Sequence, residues 1–183
     1  MIADNSKLSI QEKYAEIAKK SLIRIQYSCS GNSSGFEESN TINYRTGTVE
    51  DLPKIVNLLD ECNLPYSDIA PEKQIFVVAE IDDTIIGCAG FEFYQENGLF
   101  RSLAVSPDYR NLKIAHYLIE KSLLLGKEQG IQEFFLLTTT AGSFFDKLGW
   151  EVINRNQVPE KIGNTSEFTS ICPSAAICMK YQL

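Results

Sequence analysis

Histidine occurs once in this chain of 183 residues, at His116. The five cysteines (Cys29, Cys62, Cys88, Cys172 and Cys178) are odd in number and contain no Cys-x-x-Cys pair. These counts exclude a Cys/His zinc site and argue against a disulfide framework, so no metal is expected. Positive charge is in short supply too. Lys and Arg total 17 against 24 Asp and Glu, the net charge is −7, and no basic stripe is visible. That balance argues against a nucleic-acid partner. No apolar run is long enough to span a bilayer. Residues 1–6 lack the charged-then-apolar pattern of a signal peptide. A soluble protein of the reducing cytoplasm, without a membrane partner, is the simplest expectation.

What the chain does have is apolar content. Hydrophobic residues make up 44 % of it, enough for one enzyme-sized core. The chain divides near residue 41. Residues 28–41 are rich in Ser, Gly and Asn and read as a linker. Before them, Ser9 and Glu12 frame a capping box for a short helix reaching about Ile23. Its apolar face (Ile10, Tyr14 and Ile17) suffices for docking but not for a core. Residues 1–41 are thus an appended helix and tether, and 42–183 the domain.

The domain patterns as mixed α/β. Strands are expected at 42–45, 74–81, 84–94, 98–105, 133–138, 150–153 and 175–181. Thr48 and Asp51 resemble a helix cap, followed by Leu52, Ile55, Val56 and Leu59 at helical spacing. A second helix is expected over 111–127, a short third over 141–148 ending at Gly149, and partial helix over 159–168. Asn97-Gly98 between apolar runs predicts a two-residue hairpin turn.

Residues 101–115 are the most informative stretch. An apolar strand ends at Ser106-Pro107, a short turn follows, and an amphipathic helix starts near Asn111. A helix entered this way aims free N–H groups and its positive dipole end at one point, where an anionic phosphate would sit.

The hairpin carries a second reading. A turn at Asn97-Gly98 pairs Tyr94 with Arg101 and Glu92 with Leu103. Alternation then puts Glu92, Tyr94, Arg101, Leu103 and Val105 on one sheet face. Buried there, Glu92 and Arg101 each need a partner. They can satisfy each other as a diagonal cross-strand pair. They can also serve a reaction, with the Arg101 fork binding a substrate carboxylate and Glu92 accepting an amine proton. The two roles are compatible.

The stretch Arg110-Asn-Leu-Lys-Ile114-Ala115 resembles the acetyl-CoA signature of the GNAT N-acetyltransferase superfamily. Lys113 stands where that family most often has glycine. Phe144-Phe-Asp-Lys-Leu-Gly149-Trp150 is similar to the family's Phe-Tyr-x-x-Leu-Gly-Phe element. The tail, from Leu137-Thr-Thr-Thr140 through Glu167-Phe-Thr-Ser-Ile-Cys-Pro-Ser174 to Cys178-Met179, resembles the amino-acid N-acetyltransferase branch found with arsenic-resistance genes. That branch is related to N-acetylglutamate synthase domains. Glu12-Lys13-Tyr14 and the Ser/Cys/Gly cluster after it weakly resemble the opening of arsenite methyltransferases.

The resemblance implies an α/β (α+β) GNAT fold with a central mixed, mostly antiparallel sheet flanked by helices. It implies acetyl-CoA as cosubstrate, a small amino acid or amino-acid-like amine as acceptor, and dimers as a common state. The cradle would be Arg110, Asn111, Leu112, Lys113, Ile114 and Ala115. Backbone N–H groups around Leu103, Ala104 and Val105 would polarise the thioester carbonyl. Thr140, Phe144 and Phe145 would lie along the cofactor, and Glu167 and Ser170 along the acceptor. Phe145 occupies the position of a frequent family tyrosine, so a proton donor is missing there. Tyr94, Tyr117 or solvent remains for that task. Lys113 and Phe145 also support an alternative, a CoA-binding or regulatory protein without turnover. A weaker third idea, an arsenical sensor, rests on Cys172 and Cys178.

Overall fold

The computed structural model describes residues 41–183. The expected N-terminal helix and linker lie outside the described residues.

One seven-stranded sheet organises the domain, in the order β1-β2-β3-β4-β5-β7-β6. The strands are β1 Asn43–Thr46, β2 Gln74–Ile81, β3 Thr84–Tyr94, β4 Asn97–Val105, β5 Glu133–Thr138, β6 Glu151–Ile153 and β7 Ile177–Gln182. All neighbours are antiparallel except β4 and β5. Helices α1 (Leu52–Glu61) and α2 (Ile114–Glu128) are the long ones, with α3 (Gly142–Asp146) and α4 (Glu160–Gly163) as short turns. Before α1, the Thr48 N–H donates to Asp51 Oδ2 at 2.7 Å, close to the expected cap. Between β6 and β7 the chain also forms a π-type turn at Glu167–Ile171.

The β2 and β3 sequences are continuous apolar runs because both sheet faces are covered. On one face α2 packs Ile114, Leu118 and Leu125 against Val77, Ala89, Phe91, Phe100 and Phe134. On the other, α1 packs Ile55, Leu58 and Leu59 against Phe76, Val78, Cys88 and Ala104. Further along that second face, Ile162 and Phe168 close over Leu99, Phe135 and Cys178. The Phe134 ring is seated between two glycines. A Cβ on Gly98 or Gly126 would come within 2.4 Å or 2.3 Å of it.

The hairpin register differs from the expectation. Tyr94 pairs with Asn97 and Glu92 with Leu99, so the turn residues are Gln95 and Glu96, not Asn97-Gly98. Gln95 takes the positive φ, at 62°. Gly98 is needed inside the strand, where only hydrogen fits beside Phe134. The turn lies two residues earlier, which moves each strand partner by four, an even number, so Glu92, Tyr94 and Arg101 still share a face. Leu103 and Val105 do not join them. Cys88 pairs with Ala104 and Gly90 with Arg101, so two residues of β4 oppose one of β3. This is a β-bulge, with Ser102 at φ 55°, and it reverses the alternation beyond it. Ala104 therefore faces α1, while Leu103 and Val105 face α2.

Candidate active site

Two features meet at the C-terminal half of β4. The first is an opening in the sheet. The parallel ladder to β5 runs only from Asn97↔Glu133 to Leu99↔Phe135. Beyond it β4 continues to Val105 and β5 to Thr138 without pairing to each other, so the backbone groups of Leu103 and Val105 that point away from β3 face a gap, while those of Ala104 point toward β3.

The second feature is the start of α2. Pro107–Tyr109 forms a 3-10 turn, and α2 begins at Ile114 instead of Asn111. Asn111 and Lys113 both adopt left-handed backbone, at φ 67° and 59°. Lys113 thus adopts the conformation that glycine takes most easily, at a cost of about 1–2 kcal/mol. No side chain caps α2. The His116 N–H donates to Lys113 O at 3.0 Å, and the N–H groups of Ile114 and Ala115 are left for an outside acceptor, which suits a pyrophosphate. Arg110 is exposed, and its Nε donates to Val105 O at 3.5 Å. Leu112 is exposed, whereas Ile114 is buried in the core. Ala115 is half-buried. A helix start without a side-chain cap, entered through left-handed backbone, suits the anionic pyrophosphate of acetyl-CoA.

The side chains expected along the cofactor divide. Phe144 is half-buried, edge-on to the His116 ring at 5.2 Å. Phe145 is buried in a ring cluster with Phe100 and Trp150, so it packs the core and does not line the opening. Thr140 is exposed beyond the end of β5. The turn into α3 is capped by Thr138, whose Oγ1 accepts from the Ala141 N–H at 3.0 Å.

On the α1-side face, directly before the bulge, lies a polar cluster. Arg101 is at its centre, with a side chain only 2 % exposed. Nη1 donates to Asp68 Oδ2 at 2.6 Å and to Glu92 Oε1 at 2.8 Å. Nη2 donates to Asp68 Oδ1 at 2.5 Å and lies 3.0 Å from Glu167 Oε2. The fork expected to hold a substrate carboxylate is therefore filled by the protein's own carboxylates. Around them, Gln74 Nε2 donates to Glu92 Oε1 at 2.9 Å, and the Tyr94 hydroxyl donates to Glu92 Oε2. Ser166 Oγ donates to Asp68 Oδ2 at 2.7 Å, and the Cys172 thiol donates to Glu167 Oε1 at 3.2 Å. Ser170, expected near the acceptor, instead donates to the carbonyl of Ser166 at 3.1 Å.

Environment sets the protonation of these groups. Burial pushes Asp68 up, but hydrogen bonds from Arg101 and Ser166 outweigh it and hold the carboxyl below its ordinary value. Burial dominates at Glu167 and raises it, against the attraction of Arg101. Burial and the Glu92 carboxylate raise the Tyr94 phenol well above its usual range. Burial and Glu167 push the Cys172 thiol up to about 12. Tyr94 and Cys172 are therefore protonated donors at neutral pH.

Asp68, Gln74 and Ser166 were not legible as site residues. Gln74 pairs with Glu92 across β2 and β3, which only the register reveals. Asp68 lies in the loop before β2 and Ser166 beside the π-type turn, and nothing local marks either. Among the described residues, no group of three or more His, Cys, Asp or Glu has metal-holding geometry. None of the described helices is long and apolar enough to cross a membrane.

The strand order, the single parallel pair, the wedge between β4 and β5 and the uncapped helix after β4 together define a GNAT-type acetyltransferase fold. Residues 72–152 match the family model for an acetyltransferase (GNAT) domain. The chain is 35 % identical over 104 residues to an N-acetyltransferase of Chlorobaculum tepidum, across 56 % of this chain and 64 % of that protein. It is 27 % identical over 140 residues to an amino-acid acetyltransferase of Pasteurella multocida, across 72 % of this chain and 31 % of that one. The chain thus spans less than two thirds of these relatives' lengths. Among solved structures, N-acetylglutamate synthase of Neisseria gonorrhoeae with coenzyme A and L-arginine aligns with TM-score 0.65 at 20 % identity, covering 78 % of this chain and 33 % of that one. A GNAT-family acetyltransferase of Staphylococcus aureus aligns with TM-score 0.62 at 21 % identity, covering 78 % and 99 %.

Proposed function

We propose that this chain is an N-acetyltransferase that moves the acetyl group of acetyl-CoA to the amine of a small amino acid or amino-acid-like compound. The observation that carries this reading is the open end of β4, which runs beside a backbone gap into an uncapped helix. The relatedness to amino-acid acetyltransferases supports the acceptor class. The resemblance of residues 137–179 to acetyltransferases found with arsenic-resistance genes supports a role in arsenic or toxin resistance.

Bound acetyl-CoA supplies the thioester whose acetyl group is transferred. The first-turn N–H groups of α2, with Lys113 and Arg110 beside them, hold its pyrophosphate. Backbone N–H groups at Leu103 and Val105 would stabilise negative charge on the acetyl oxygen as the amine attacks; that of Ala104, turned toward β3, would not. Glu92 takes the amine proton, directly or through water, and Arg101 fixes the orientation of that carboxylate. The Tyr94 hydroxyl, held protonated against Glu92, is the candidate donor of a proton to the departing thiolate as Glu92 gains one. The thiol is also acidic enough for water to serve slowly.

Calorimetric titration with acetyl-CoA, followed by mass detection of acetylated product across amino-acid acceptors, tests the proposal. Micromolar binding with an acetylated product supports it. No binding and no product overturns it.

A further inference from the structure

We infer that the acceptor carries a second cationic group, an ammonium or guanidinium on its side chain, and that Asp68 and Glu167 receive it. The inference rests on the acetyl-transfer reading above and narrows its acceptor class.

The cluster is unbalanced. One guanidinium, Arg101, faces three carboxylates: Asp68, Glu92 and Glu167. Gln74, Tyr94, Ser166 and Cys172 add hydrogen bonds but no positive charge. Arg155, whose field reaches Cys172, is held elsewhere. It donates to Pro173 O at 2.6 Å and stacks over the Phe168 ring at 5.8 Å. Surplus negative charge away from water is met by a proton or by a cation. The upward pull on Glu167 is the proton's side of that competition.

Depth orders the charges. Arg101 is 2 % exposed and Glu92 7 %, while Glu167 is 10 % and Asp68 17 %. An arriving ligand meets the two outer carboxylates before the guanidinium. A side-chain carboxylate would be repelled at the mouth and find the Arg101 fork already filled. A cation would be drawn in and would neutralise the surplus. One polar valence is also open. Arg101 Nε is buried without a hydrogen-bond partner among the described residues. A basic amino-acid-like molecule supplies the cation that the surplus carboxylates lack.

Arginine and citrulline test this, because they match in shape and differ in side-chain charge. The expected result is a kcat/KM for arginine at least about tenfold above citrulline, roughly the effect of one modest charge contact. Glutamate is expected below glutamine. Asp68→Asn and Glu167→Gln should each shrink the arginine-to-citrulline ratio, read both in kcat/KM and in calorimetric affinity, whatever each does to the citrulline rate itself. Calorimetric titration of the same four compounds reads the charge preference without turnover. Citrulline equal to arginine in both assays, glutamate preferred, or a ratio unmoved in both variants overturns the inference. Absence of acetylated product with every acceptor overturns the transfer reading instead, and the titration still judges the charge preference.

Discussion

Arg101 and Asp68 form a two-pronged ion pair, with Nη1–Oδ2 at 2.6 Å and Nη2–Oδ1 at 2.5 Å. It ties β4 to the loop between α1 and β2. Through Ser166, the same aspartate also holds the segment ahead of the π-type turn. Replacing Arg101 by Met would leave three carboxylates clustered without a cation. The expected loss is about 3–5 kcal/mol of stability, read as a lower urea midpoint. A midpoint equal to that of the natural protein would mean that the cluster does not need its cation.

Glu92→Gln keeps the shape of the side chain and removes its basicity. The expected outcome is a fall in kcat of about 10²–10⁴-fold, with acetyl-CoA affinity unchanged by calorimetry. An unchanged kcat would assign the proton acceptor to another group.

Lys113→Gly removes a side chain from left-handed backbone. Relief of about 1–2 kcal/mol is partly offset by the freer unfolded chain. The variant should melt at the same temperature or a few degrees higher and bind acetyl-CoA at least as well at high salt. Loss of binding there would show that the lysine charge, not the backbone, holds the phosphate.

Phe145→Tyr restores the hydroxyl found in many relatives of this fold. Here the ring lies between Phe100 and Trp150, so the hydroxyl is buried without a partner. The expected cost is about 1–3 kcal/mol, with no gain in kcat. A faster enzyme would place that ring within reach of the thiolate.

The raised Glu167 carboxyl has a pH signature. Its folded pKa lies above the ordinary 4.5, so the folded state holds the proton more tightly. Its contribution to stability is complete below pH 4.5 and fades as pH rises through the folded pKa. Asp68, shifted downward, contributes above its ordinary 3.8 and loses that contribution as pH falls through its folded pKa. Glu167→Gln should therefore stabilise the protein more at pH 8 than at pH 4 in paired denaturant titrations. An equal effect at both values would contradict the upward shift.

The fold was legible because its signals are local. The β2 and β3 apolar runs, the α2 periodicity and the loop after Ser106 depend on neighbours in sequence, and all appear, with α2 starting three residues later than expected. The site was half legible. Glu92 and Arg101 do meet, but with strand partners four residues from those expected, and the alternation that joins them survives because that change is even. Leu103 and Val105 were assigned to the wrong face, since a bulge at Ser102 leaves no mark in composition. Asp68 and Ser166 were missed because their partner lies on a distant strand. The filling of the Arg101 fork could not be read from sequence for the same reason.

The bulge in β4 also sets how the strand divides its labour. Upstream of Ser102 the strand contributes a side chain, Arg101, to one face of the sheet. Downstream it offers backbone to the gap that opens on β5. One additional residue puts these two halves out of phase. A chain shortened by one residue at Ser102 would pair with β3 without interruption and still hold Leu103 on the face opposite Arg101. What it would lose is the bend and added twist that the bulge gives β4 between Arg101 and Ala104.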